Sequence, residues 1–467
     1  MVKTVVILGA GITGLSVGQT LSSSGLKVFI IERADKVGGI IKGFKVGQYT
    51  FDHGPHAILT RNKAAFEQFK RLIKNDLISI GERKAGIYFK GRHYGYPLKP
   101  IAIFKHSSPF LIVKILSSFL YYNIKRIISK PNEMAFDEYL TNYFGKELYN
   151  RFFKNYTKKV WNVEPSTLAA SFAAERIQKI TFAGFFKEIM RKILPKKKAN
   201  EFSENMMYYP RHGVGQIPEL LEKEIKKNKG IILLNSTVTK INLDNDRVKS
   251  VEFVRNGNKK TIEGDYFVST IPITLLVKAL NPKPSKEVLD ATNRLKYKKI
   301  KFMFLVVKKQ KVFNEHWVYF HDDDNVFYRI FDTSAFSTTL MPKGKTGLII
   351  ELSTKNKKSN KQLFEETVKG LEKYKLVKRD EVEAHFFDEV EHGYPIYSLR
   401  YKEDLSIIFN EAYKIKNLII AGRQGLFRYL DMDHCIRFGP IIRNIIKENG
   451  DNRIMGSIVA EHGKKNY

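Results

Sequence analysis

The sequence predicts an α/β protein: a discontinuous Rossmann-type dinucleotide-binding domain joined to a second, mixed α+β substrate domain. Three observations carry that reading. A short apolar strand at the N-terminus runs into the glycine loop GAGITG and then into a helix. A second β-rich run, KVFIIE, follows and closes on an acid. Further apolar strands ending in turns recur mid-chain, in GDYFVSTIP, and near the C-terminus, in LIIAGR. One sheet therefore draws on distant parts of the chain.

In order along the chain, Val5 to Leu8 form the first strand. Leu15, Val17 and Leu21 give the next segment an apolar helical face, and Gly25 ends it. Gly9, Gly11 and Gly14 fit the spacing G-x-G-x-x-G. The first permits a tight turn, the second lets a pyrophosphate reach the backbone, and the third packs helix on strand. Unpaired N–H groups at the helix start face the phosphates. Glu32 closes the second strand, where a carboxylate binds both ribose hydroxyls. An acid there argues against a 2′-phosphate and leaves FAD or NAD. Arg33 beside it and the pair Gly38-Gly39 extend the motif and favour FAD, because paired glycines allow a second backbone approach to the cofactor.

The remaining segments divide the chain. Residues 1–100, 206–285 and 391–467 read as three parts of the nucleotide domain. Residues 101–205 read as a helical substrate domain, and residues 286–390 as its β-rich counterpart. LPKKKANEF, around Lys196, reads as a solvated loop.

The chain has 467 residues, 43% hydrophobic, with 33 Phe and 23 Tyr. That is enough for real cores. The formal net charge of +32 points to anionic partners such as a phosphorylated substrate or acidic lipid; the plainer reading is a lysine-rich composition with no functional cause. No nucleic-acid-binding signature accompanies the charge, so no nucleic-acid partner is expected. One cysteine, Cys435, excludes a disulfide framework and a Cys-rich metal site, and no metal is expected. MVKTVVILGAG does not read as a signal peptide, and no apolar run reaches the roughly 18 residues of a membrane span. A cytoplasmic protein is the expectation. The acid-free segment Ser108 to Lys130 reads first as a buried helix with snorkelling lysines. Its second reading is a helix lying peripherally on an anionic membrane.

Several motifs carry a resemblance to a known group. The loop extended by ERADKVGG resembles glutathione-reductase-type flavoproteins, in the FAD-dependent amine oxidase and protoporphyrinogen oxidase-like superfamily. DHGPHAILT resembles the flavin-facing segment of UDP-galactopyranose mutases within it. The resemblance implies that Gly54, Pro55 and His56 lie against the flavin, with a neutral His56 imidazole near N5. His53 would stand behind, and Asp52 would cap a turn. NYTKKVWNVEPSTLAASFAAERI resembles another mutase segment, with Asn162 in place of the usual glycine. It implies Trp161 as a stacking surface for substrate, or as helix core, and Arg176 as a phosphate clamp, or as an ordinary surface arginine. AGRQGLFRYLDMDHCIRFG resembles the mutase C-terminus. By it, Gly422 and Arg423 touch cofactor phosphates, and Asp431, Met432 and Asp433 open a helix aimed at the flavin, with Asp431 as its cap. YYPRHGVGQIPELLEKEI resembles the oxidase branch, and in the STVTKI that follows, Val238 would meet adenine through its backbone. LKYKKIKF puts lysines where the mutases clamp a diphosphate with arginine, and lysine offers a point charge without a fork.

The resemblance implies a non-covalent FAD enzyme, since Cys435, the only thiol, lends no support to covalent attachment. The expected function is an oxidoreductase working through flavin N5 on a small anionic, sugar-linked or lipid-linked substrate. The alternative is a mutase that isomerises a nucleotide sugar without net redox. A further alternative is a non-catalytic basic protein that kept a dinucleotide scaffold.

Overall fold

In a computed structural model, residues 2–54, 56–98, 100–129, 135–174, 206–353 and 358–448 are described. Pro55, Arg176 and the LPKKKANEF loop lie outside them. The first strand, β1 (Thr4–Leu8), is apolar because it is covered on both faces, and Val5 to Leu8 are fully buried. It pairs in parallel with Lys27–Ile31 on one side and Tyr266–Ser269 on the other. Ile231–Leu233 and Leu418–Ile420 complete a five-stranded sheet, also in parallel. The strands from the start, middle and end of the sequence thus meet in one sheet.

The helix after the glycine loop, α1 (Ile12–Ser23), lies on this sheet between the helices Gln216–Lys227 and Phe438–Lys447. Ser16 Oγ donates to the Ile436 carbonyl at 2.5 Å, tying the C-terminal segment to it. Gly14 governs how closely α1 approaches the loop below. A Cβ added there would stand 2.0 Å from the Gly9 carbonyl oxygen. No side chain fits.

A seven-stranded sheet forms the second layer. Its order is Val382–Ile396, Lys296–Val307, Thr346–Leu352, Phe327–Asp332, Trp317–Phe320, Ala85–Phe89 and Arg92–Tyr96. All neighbours are antiparallel except Trp317–Phe320 with Ala85–Phe89. The hairpin Ala85–Tyr96 therefore belongs to this sheet although it lies within the first hundred residues. A four-stranded sheet of Asn258–Glu263, Arg247–Arg255, Ser236–Asp244 and Leu280–Asn281 flanks the nucleotide layer.

The segment first read as a buried helix is a helix, Pro109–Ser129, but it is not buried. Only Ile115 and Asn123 are fully buried, and a few others, among them Phe119 and Tyr122, are half-buried. Its inner side packs on the helix Phe136–Phe144 and on Gly145, where an added Cβ would meet the Phe119 backbone nitrogen at 2.8 Å. No helix among the described residues is long and apolar enough to cross a membrane.

Gly14→Ala is expected to cost about 3 kcal/mol or more, because backbone rather than a movable side chain occupies the space. The measurement is thermal unfolding of the two proteins side by side. A variant that melts with the parent contradicts the packing described.

Candidate flavin site

The glycine loops meet above the carboxyl ends of the parallel strands. The Gly38 N–H donates to the Ala10 carbonyl at 2.8 Å, and Gly11 and Gly38 form a parallel bridge. A Cβ on Gly39 would stand 3.2 Å from the Gly11 Cα. Around Gly11 itself nothing lies within 4 Å of such a Cβ, so the backbone there faces open space at the start of α1. The Glu32 carboxylate is held by the Ala10 N–H at 2.7 Å and the Ala34 N–H at 2.9 Å. The Glu32 carbonyl accepts from Ser236 N–H at 2.8 Å, which brings the STVTKI strand beside the acid. Val238 stands at a register shift of that strand, where a bulge breaks the ladder. Arg33 turns away: it is exposed and pairs with Glu391 at 3.4 Å.

The C-terminal motif closes on the same place. The Ala421 N–H donates to Ser269 O at 2.9 Å, extending the sheet edge. Gly422 then packs on Thr13 of α1, 2.8 Å from its Oγ1 if a Cβ were present. Arg423 Nε donates to the Leu430 carbonyl at 2.7 Å, and its guanidinium lies over the Tyr394 ring at 5.5 Å. Thr60 Oγ1 donates to Asp433 at 2.7 Å and so ties the DHGPHAILT segment to the C-terminal one. Met432 is buried between them.

Gly54 has φ +103°, a left-handed conformation that its lack of Cβ permits. His56 Nε2 lies 2.9 Å from the His53 carbonyl and therefore donates to it. Burial, with Arg423 nearby, pulls the His56 imidazole down to about 4. That leaves the ring neutral at physiological pH. His53 is buried behind it, with Nδ1 facing the Lys42 carbonyl at 2.9 Å and Nε2 facing Asp388 at 2.6 Å. The hydrogen bond from His53 holds the Asp388 carboxyl down at about 2. Asp52 does not cap a local turn. It accepts from Tyr209 Oη and from Val214 N–H, anchoring a loop from mid-chain, and burial pushes its carboxyl up to about 6.

Next to Gly54 the second sheet supplies charges that the sequence reading missed. Arg329 and Glu351 form a fork, with Nε to Oε2 at 2.9 Å and a terminal nitrogen to Oε1 at 2.5 Å. Glu351 would stand 4.0 Å from a Cβ on Gly54. Lys298 is buried too. Its ammonium donates to the Val160 carbonyl and faces the rings of Tyr328 at 5.2 Å and Trp161 at 5.9 Å. Burial pulls its amine down to about 8, against the pull of Glu351. Tyr394 and Tyr429 stack at 5.4 Å to close the box. Tyr156, which stacks on His321 at 4.1 Å, lines a neighbouring cavity of about 380 Å³ with Phe89, Arg151 and Asn155.

Of the two readings of Trp161, the helix core is the one the burial supports: it is 6% exposed and edge-on to Phe172 at 4.5 Å, which leaves no open face for substrate. One expectation is corrected. Asp431 sits at the start of the short helix Met432–Ile436 without a side-chain cap bond; its side chain is 81% exposed, 3.6 Å from Arg423. Asn162, in place of the usual glycine, adopts φ +56°, which Asn tolerates better than most residues.

The model for flavin-containing amine oxidoreductases matches residues 12–400. The chain belongs to that family. It is a flavin-dependent enzyme with FAD as its cofactor. The chain is 30% identical over 176 residues to the "Probable UDP-galactopyranose mutase" of Klebsiella pneumoniae, which covers 36% of this chain and 44% of that protein. It is 25% identical over 373 residues to protoporphyrinogen oxidase of Dictyostelium discoideum, covering 67% and 68%. Coproporphyrinogen III oxidase of Staphylococcus aureus matches at 24% over 51% of this chain and 54% of its own length. The matches to the mutase and to the staphylococcal oxidase thus span about half of those relatives. The crystal structure of reduced UDP-galactopyranose mutase shares the fold, with a TM-score of 0.81 at 21% identity over 96% of this chain and 94% of that one.

Two outcomes follow for this flavoprotein. Gly11→Ala has room for its methyl group, so it is expected to fold and melt like the parent. Its FAD dissociation constant should rise at least about tenfold if the pyrophosphate takes the open space at Gly11, which the methyl would fill; an unchanged constant, read by flavin fluorescence, contradicts the site. For His56, the unfolded imidazole binds its proton near 6.5 and the folded one only near 4. The stability it contributes is whole above 6.5 and is lost as pH falls toward 4. A His56→Asn variant should therefore lose less melting temperature than the parent between pH 6.5 and 4.5, and equal losses contradict the assignment.

Proposed function

We propose that this protein is an FAD-dependent oxidoreductase acting on a small anionic substrate bound beside Gly54 and His56. The observation that carries the reading is the state of the arginines there. Arg329 spends its planar fork on Glu351, and Arg423 commits its Nε to the Leu430 carbonyl, with the exposed Asp431 3.6 Å from a terminal nitrogen. A diphosphate needs such a fork, and Lys298 cannot supply one. Among the described residues, this disfavours tight binding of a nucleotide sugar at the ring end; Arg176 lies outside them.

When bound, FAD supplies a two-electron acceptor at N5. The protein's own groups do the rest. Gly9 makes the turn and Gly14 seats the helix, so that Gly11, with Gly38, Gly39 and Gly422 around it, offers backbone to the pyrophosphate; Arg423 adds charge, and Glu32 takes the ribose. Val238 offers backbone at its bulge to the adenine. His56, neutral, presents a hydrogen-bonding ring to the flavin edge while its Nε2–H is held by His53. Lys298, its amine pulled down to about 8 inside an aromatic box, is still largely an ammonium at neutral pH but gives up its proton more readily than a solvated lysine, and the freed amine can take one from the substrate. The Tyr394–Tyr429 stack excludes water. The net charge of +32 supports an anionic substrate, including a sugar or polyprenyl phosphate.

The mutase reading stands as the alternative, favoured by the fold likeness at a TM-score of 0.81. One experiment separates the two. The oxidised protein is mixed anaerobically with candidate donors (amines, alcohols, porphyrinogens) while flavin absorbance is followed. The dithionite-reduced protein is incubated with UDP-galactofuranose. Bleaching by a donor, slowed at least about a hundredfold in Lys298→Met with FAD still bound, is the expected result. Conversion of the furanose to the pyranose without bleaching by any donor overturns it.

A further inference from the structure

The Pro109–Ser129 helix carries its apolar residues on the wrong side for a soluble protein. Phe110, Val113, Leu116, Leu120, Ile124 and Ile127 recur at three- and four-residue spacing, so they form one stripe along the helix. All of them are exposed, from 43% at Leu116 to 80% at Phe110. At about 1.5 Å per residue the stripe from Phe110 to Ile127 runs about 25 Å along this 21-residue helix. Soluble monomers rarely leave so much contiguous apolar surface bare; their largest patch is roughly 300–600 Å².

The charge around the stripe identifies what covers it. From Arg83 to Asn132 the sequence contains no Asp or Glu, against ten Lys and Arg. Of these, Lys105, Lys114 and Lys125 are exposed at and along the helix. Lys114 reaches Glu147 at 3.2 Å but stays over half exposed. A second copy of the chain would set this lysine-bordered, acid-free helix against itself, largely cation to cation. An anionic bilayer accepts both features: acyl chains take the stripe and headgroups take the lysines.

We propose that this helix lies flat on an anionic phospholipid surface with the Phe110–Ile127 stripe in the acyl boundary. The flavin site plays no part in the argument. Binding is expected to weaken with salt, since each lysine near the surface contributes through a screened attraction.

The test is co-sedimentation of the full-length flavoprotein with vesicles. One set contains mixed phosphatidylglycerol and phosphatidylcholine, the other phosphatidylcholine alone. The protein should pellet with the first, much less with the second, and less as salt is raised. The variant Val113→Gln/Leu120→Gln/Ile124→Gln/Ile127→Gln should partition at least about tenfold less, with flavin content and melting temperature unchanged. If the fourfold variant fails to fold, Phe110→Gln and Ile127→Gln singly should each reduce partitioning. Protein that stays in solution with anionic vesicles, binds both vesicle types equally, or binds unchanged after substitution overturns the proposal. So does a stable dimer that the substitutions break without any vesicle binding, which would assign the stripe to a second copy.

Discussion

The contact on which the rest depends is the seating of α1 on the first glycine loop. Gly14 touches the Gly9 carbonyl so closely that only a hydrogen fits. That contact fixes where the helix begins, and so where its unpaired N–H groups point. The second loop is bonded to the first through Gly38 and Ala10, and the C-terminal loop rests on Thr13 of the same helix through Gly422. Three segments far apart in sequence thereby share one reference element. A helix start displaced by a methyl group would move the phosphate-facing backbone relative to both other loops. This is why the geometry tolerates so little change at Gly14 and has room at Gly11.

From that anchor the site grades from polar backbone to desolvated side chains. At the Glu32 end the donors are main-chain N–H groups. At the Gly54 end the second sheet brings Arg329, Glu351 and Lys298 out of water together. Burial acts on each group according to its partner. Arg329 and Glu351 compensate one another; Lys298, with a carbonyl and aromatic faces for company, loses basicity. His56 is driven neutral by the same desolvation and by Arg423. A cofactor whose electronics depend on nearby charge would sit in a field set by this balance.

The nucleotide half was legible in the sequence because its constraints are local. A strand, three spaced glycines, a helix and an acid follow one another within thirty-odd residues. The gathering of strands from the middle and the end was also legible, each being a short apolar run closed by a turn. What escaped is non-local. Arg329 and Glu351 pair across adjacent strands, and their only trace is a charge interrupting an apolar run, in VFYRIFD and in GLIIELS. Lys298 sits among four lysines of one strand, and only the strand's alternation singles it out for burial. The motif left Trp161 open between stacking surface and helix core, because only the fold shows that Phe172, Tyr394 and Tyr429 claim its ring. The Pro109–Ser129 helix misled for the opposite reason. Its composition is that of a core, and composition does not say which side faces water.

The central claim is that one dinucleotide spans from Glu32 to His56 across all three glycine loops. Calorimetric titration of the flavin-free protein with FAD, FMN and ADP tests it most directly. The account predicts one FAD per chain, bound far more tightly than FMN, with ADP competing for the Glu32 half. FMN binding as tightly as FAD, or FAD binding that ADP does not compete with, would contradict it.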